Sequence, residues 1–85
     1  MTIENVGLAM DTLETRDGIV YGNATVYSKD EDGLELEYCD DFDFTYCISG
    51  NFATTGLDDK VFGKYFNEIE ELLIDNLKTN YLQNN

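Results

Sequence analysis

From Leu34 to Ile48 the chain alternates without losing phase for fifteen residues. The even positions are Leu34, Leu36, Tyr38, Asp40, Phe42, Phe44, Tyr46 and Ile48, apolar or aromatic except for Asp40. The odd positions are Glu35, Glu37, Cys39, Asp41, Asp43, Thr45 and Cys47. Successive side chains of a strand point to opposite faces, so this period of two predicts a strand with one buried and one wetted face. The run is long beside the usual strand of about 5–6 residues. Cys39-Asp40-Asp41 has the composition of a turn, so the reading adopted is two strands joined there. A ribbon with so long an apolar face must be covered by another element, and that constrains the fold.

Turn chemistry organises the N-terminal half. Asp17-Gly18 and Asp32-Gly33 suit hairpins, because glycine accepts positive φ and aspartate tolerates it. Ile19 to Ser28 lies between them and is rich in β-branched and aromatic residues. Val20, Ala24 and Val26 share one face, and Ile19, Tyr21, Thr25 and Tyr27 the other. With both faces partly apolar, this is a central strand, and Gly22-Asn23 marks a bulge within it. The first segment is ambiguous. Ile3, Val6, Met10 and Leu13 have helical spacing, whereas Val6, Leu8 and Met10 alternate. The Asp17-Gly18 turn favours a strand over Leu8 to Thr15.

Beyond Gly56 the period changes. Phe62, Tyr65, Phe66, Ile69, Leu72, Leu73 and Leu77 recur at i, i+3, i+4, i+7, the stripe of an amphipathic helix from about Leu57 to Leu82. Lys64, Glu68, Glu71, Asp75 and Lys78 take the opposite face. Asp58 and Asp59 sit where the helix dipole favours acids, and Thr55 is the expected N-cap. The expected fold is therefore α+β, a single domain over residues 1–85: an antiparallel β-meander of three to four strands packed against one long C-terminal helix.

Eighteen acids face five bases, a formal charge of −13. That balance disfavours direct binding to nucleic acid or anionic lipid and favours basic protein surfaces. No apolar run is long enough to span a membrane, and the N-terminus lacks the basic-then-apolar order of a signal peptide, so a cytoplasmic protein is expected. The chain has no His, which removes the common general base and the Ser-His and Cys-His pairs. Cys39 and Cys47 are read as free structural thiols. Cys39 lies beside Asp40 and Asp41, whose charge opposes the thiolate that a nucleophile needs.

The residues fit none of three common chemistries. With Gly33 at the sixth position of an EF-hand loop, Asp30 and Asp32 fall correctly, but Ser28 and Cys39 occupy the first and twelfth, so no such calcium site is expected. A loose cation site at Asp30, Glu31 and Asp32 gives way to a solvated turn. Glu35 with Glu37, or Asp41 with Asp43, stand roughly 6.5–7 Å apart along a strand, but so short a chain leaves little room for a sugar cleft. Gly50, Gly56 and Gly63 form no phosphate loop. No enzyme activity, metal or cofactor is expected.

The acids of the alternating run remain. Glu35, Glu37, Asp41 and Asp43 form a row of one sign, extended by Asp30, Glu31 and Asp32 at its turn and by Asp40 at the dividing turn. These eight are the candidate partner-binding residues. Such a row would stand in for a nucleic-acid backbone towards a protein that binds one, with Tyr27, Tyr38 or Phe52 as an apolar anchor. In size and acidity the chain resembles the small inhibitors that phages and mobile elements direct against nucleic-acid-binding host enzymes, some of which mimic DNA. The likeness is compositional and covers no motif. The alternative is a self-associating assembly module, a homodimer through the helix or a sheet edge, with Tyr21, Tyr27 and Tyr81 left over once one face is buried.

Overall fold

In the computed structural model the described residues are 2–29 and 37–82, with side chains described at 2–29 and 39–82. The strands are β1 (Thr2–Leu8), β2 (Glu14–Arg16), β3 (Ile19–Lys29), β4 (Glu37–Cys47) and β5 (Phe52–Thr55), followed by helical segments α1 (Asp59–Phe62) and α2 (Phe66–Leu77). The sheet is antiparallel, in the order β1-β3-β4-β5, with β2 also paired to β3. Strand follows strand as a meander, and the C-terminal helix crosses one face, the α+β arrangement expected.

The Asp17-Gly18 hairpin follows from its residues. Arg16 pairs with Ile19 across a two-residue turn, and φ is +54° at Asp17 and +78° at Gly18. Positive φ at both central positions is the primed geometry whose twist matches the flanking strands. The Asp32-Gly33 turn lies outside the described residues.

β4 corrects the division at Asp40. Glu37 to Cys47 is one strand, and β3 matches it residue for residue from Lys29↔Glu37 to Ile19↔Cys47. Asp40 pairs with Val26 inside this ladder and makes no turn. The same unbroken register corrects the bulge expected at Gly22-Asn23, where Gly22 pairs with Phe44 and Asn23 with Asp43. Gly22 has a different reason. A Cβ there would stand 2.5 Å from Leu13 Cδ2, so the missing side chain leaves room for Leu13 against the core.

The first edge is corrected too. The strand expected over Leu8 to Thr15 is two strands, β1 and β2, separated by a 3-10 turn at Met10–Thr12. The irregular register explains the misleading spacing of Ile3 and Val6. Ile3 pairs with Ser28 and Asn5 with Tyr27, so Glu4 is an extra residue. One inserted residue puts positions i and i+3 on the same face of a strand, and both Ile3 and Val6 are buried.

The helical region begins later than expected. Thr55 belongs to β5. The N-cap is Asp58, whose carboxylate accepts the Lys60 N–H at 2.9 Å. A 3-10 turn at Gly63–Tyr65 separates α1 from α2, where Gly63 is a poor α-former. A π-type turn, Lys78–Leu82, closes the segment. Phe62, Ile69, Leu73 and Leu77 from the stripe are fully buried against Val20, Ala24, Val26, Phe42, Phe44 and Tyr46 of the sheet. Ile74, outside the expected stripe, joins them.

Two helix side chains reach edge strands of the sheet. Asn76 donates its amide to the Val6 carbonyl of β1 at 2.6 Å. Glu70 accepts the Ala53 N–H of β5 at 2.9 Å. Among the described strands β1 pairs only with β3 and β5 only with β4, and each of these bonds occupies one backbone group of such an edge.

Candidate functional site

The sheet face opposite the helix is the candidate interface. Alternation places Cys39, Asp41, Asp43, Thr45 and Cys47 of β4 there, beside Tyr27, Thr25, Asn23, Tyr21 and Ile19 of β3. Asp41 and Asp43 are exposed. Each is oriented by the residue directly opposite it. The Thr25 hydroxyl donates to Asp41 Oδ1 at 2.6 Å, and the Asn23 amide donates to Asp43 Oδ1. Both donors are neutral. They fix the carboxylates without cancelling their charge.

Two cations share this face, Arg16 opposite Ile19 and Lys29 two residues beyond Tyr27, but each pairs with another acid. Lys29 reaches Glu4 Oε1 at 3.1 Å, and Arg16 reaches Glu14 Oε1 at 3.4 Å. These exposed pairs contribute little to stability. Lys60, Lys64 and Lys78 lie exposed on the helical region. Among the described residues no Lys or Arg pairs with Asp41 or Asp43.

Of the eight candidate residues, Asp41 and Asp43 are brought together on this face. The backbone of Glu37 continues the same strand opposite Lys29. Asp40, half-buried, has the parity of Phe42 and Phe44 and belongs to the helix side. Asp30, Glu31, Asp32 and Glu35 lie outside the described residues, as does the side chain of the candidate anchor Tyr38. Tyr27 is 40% exposed and lies on the same face as Asp41. Its ring passes close over Gly7, where a Cβ would come within 3.1 Å of Tyr27 Cε2. Phe52 is 54% exposed and sits at the far end of the face, opposite Cys47.

Apart from Asp43, the residues lining an open groove of about 460 Å³ on this face were missed from sequence. Asp43 and Thr45 line it from β4, Tyr21 and Asn23 from β3, and Thr54 from β5, with Thr12 and Gly56 beside them. Gly56 N–H donates to the Asp43 carbonyl at 2.8 Å, and Asn23 N–H donates to the Thr12 hydroxyl at 2.9 Å. The Arg16 guanidinium lies 4.9 Å from the centre of the Tyr21 ring. The turn at 48–51 ends the alternation, and Phe52–Thr55 (Phe-Ala-Thr-Thr) carries no such pattern to announce β5.

At the end of β4 the chain turns through Ile48 to Asn51, with Asn51 at φ +53°. Tyr46 donates its hydroxyl to Asn51 Oδ1 at 2.8 Å. Burial, and then the neighbouring Cys47, push the Tyr46 phenol above its ordinary value. The Ser49 hydroxyl, then the Gly50 backbone, hold the Cys47 thiol below its own. Both cysteines are free. No helix among the described residues is long and apolar enough to cross a membrane. Comparison with protein families, with curated proteins and with solved structures finds no match.

Proposed function

We propose that this chain is a small acidic binding protein that occupies a basic, nucleic-acid-binding surface of a partner protein. The observation that carries this reading is the pair Asp41 and Asp43, exposed on one sheet face, held by neutral cross-strand donors and, among the described residues, in no ion pair. Asp41 and Asp43 are neighbours on one face of the same strand, where like charges destabilise a sheet. Here the charge is retained on a chain already at −13, where self-repulsion works against folding. Lysines and arginines of the partner would release counterions on meeting it, much as they do on a phosphate backbone. Tyr27 beside the row supplies an apolar contact. The action is occupation of a surface, with no bond made or broken.

The experiment is capture on the immobilised chain at low and high salt, followed by elution with duplex DNA. Basic proteins retained at low salt and released by DNA support the proposal. Retention that DNA cannot reverse, or no basic protein retained at low salt, refutes it. Self-association through a sheet edge is the less favoured reading, because Asn76 and Glu70 already occupy edge groups of β1 and β5.

A further inference from the structure

β5 turns half of its backbone groups away from β4. The Gly56 N–H bonds the Asp43 carbonyl, so by the register of the two strands Thr45 with Thr54 and Cys47 with Phe52 are the hydrogen-bonded pairs. Ala53 and Thr55 therefore point their backbone groups outwards. The Ala53 N–H is held by Glu70 Oε2 at 2.9 Å. The Thr55 N–H and the Ala53 and Thr55 carbonyls have no hydrogen-bond partner among the described residues. Between this edge and the start of α2 lies a cleft of about 230 Å³, with Ala53, Thr54 and Thr55 on one side and Phe66, Asn67 and Glu70 on the other. Glu70 is half-buried there and, among the described residues, in no ion pair.

We infer that this cleft takes up an extended, basic segment of the partner, which pairs with β5 as a further strand and brings a lysine or arginine to Glu70. The inference rests on the reading of the chain as a binder of basic proteins and adds a contact that Asp41 and Asp43 do not make. An extended peptide gains affinity at a sheet edge from backbone hydrogen bonds and specificity from the side chains beside them. The Thr55 N–H and the two outward carbonyls supply the first. Glu70 supplies the second. Its carboxylate stands where the carbonyl of an added strand would accept the Ala53 N–H, so an incoming strand must displace it. A neutral strand leaves that half-buried carboxylate without a partner, which is costly. A basic strand gives it a charged hydrogen bond. A second copy of this chain would arrive with its own net charge of −13, so the device that admits a basic strand works against self-pairing.

Two peptides of equal length and charge test it, one alternating lysine with valine, the other lysine with proline, which cannot complete a strand ladder. Each is titrated against the intact chain at low salt and followed by the chain's amide signals. The valine peptide is expected to bind about tenfold more tightly, to move the signals of Ala53 and Thr55, and to slow hydrogen exchange at the Thr55 amide. Glu70→Gln keeps an acceptor for the Ala53 N–H but loses the charge, and should weaken the valine peptide about tenfold. Asp41→Asn removes the same charge from the outer face; it should weaken both peptides alike and leave Thr55 protected. Signal dispersion reports that both variants remain folded. Equal binding of the two peptides, or a Thr55 amide that exchanges as fast as before, overturns the edge site and leaves the acidic-face reading standing. Binding of neither peptide also overturns the edge site, and capture with DNA elution decides the acidic face separately.

Discussion

The two faces of β4 share one backbone and one hydrogen-bond ladder, yet they answer to different forces. Towards the helix, Phe42, Phe44 and Tyr46 are 4%, 3% and 1% exposed. Towards solvent, Asp41 and Asp43 lie between them in sequence and stand open to water. Burial scales with apolar area, so the inner face supplies stability. The outer carboxylates add repulsion to a chain already strongly negative. A strand built this way can change its outer chemistry at little cost to its fold, because successive residues face opposite sides and do not share neighbours.

That separation can be broken first from the inside. Phe44→Ala should destabilise the chain by about 3–5 kcal/mol, enough to unfold much of a small domain, as measured by denaturant titration. The edge comes next. Glu70→Ala leaves the Ala53 N–H without its acceptor and should cost about 1–3 kcal/mol, with faster hydrogen exchange at Ala53; Glu70→Gln, which keeps an acceptor, should recover most of it.

A smaller effect should appear in alkali. The Tyr46 phenol is raised in the folded chain above its ordinary value of 10.0. Its stabilising contribution is complete below that value and is lost as pH rises through the higher folded value, because the unfolded chain ionises first. Thermal melting from pH 9 upwards should fall less steeply in Tyr46→Phe than in the parent. The outer face should give the smallest change in stability. Asp41→Asn and Asp43→Asn should each shift unfolding by less than about 0.5 kcal/mol, while the double variant loses salt-dependent capture of basic proteins. If instead it unfolds the chain, the two faces are not independent.

Local residue chemistry accounts for much of this architecture. The alternation of Phe42, Phe44 and Tyr46 with Asp41 and Asp43 names its own faces, because a strand has a period of two whatever surrounds it. Asp17-Gly18 specifies its turn, because few other pairs adopt positive φ twice. The stripe from Phe62 to Leu77 reads as a helix because its period is 3.6.

Tertiary pairing decided the rest. A polar residue in an apolar series looks like a turn, yet β3 offers a partner at every position from Glu37 to Cys47, and Asp40 stays in the ladder. Ile3 and Val6 share a face only through the extra residue opposite β3, and no periodicity distinguishes that from a helix. Gly22 reads as a bulge until Leu13 is found against it. The groove joins three strands, so neither its lining nor the capping of both sheet edges by Glu70 and Asn76 follows from any single segment. Local chemistry set which side of each element seeks water. Which elements then meet depended on contacts between residues far apart in the chain, such as Asn76 with Val6, and these arise only when the whole core closes.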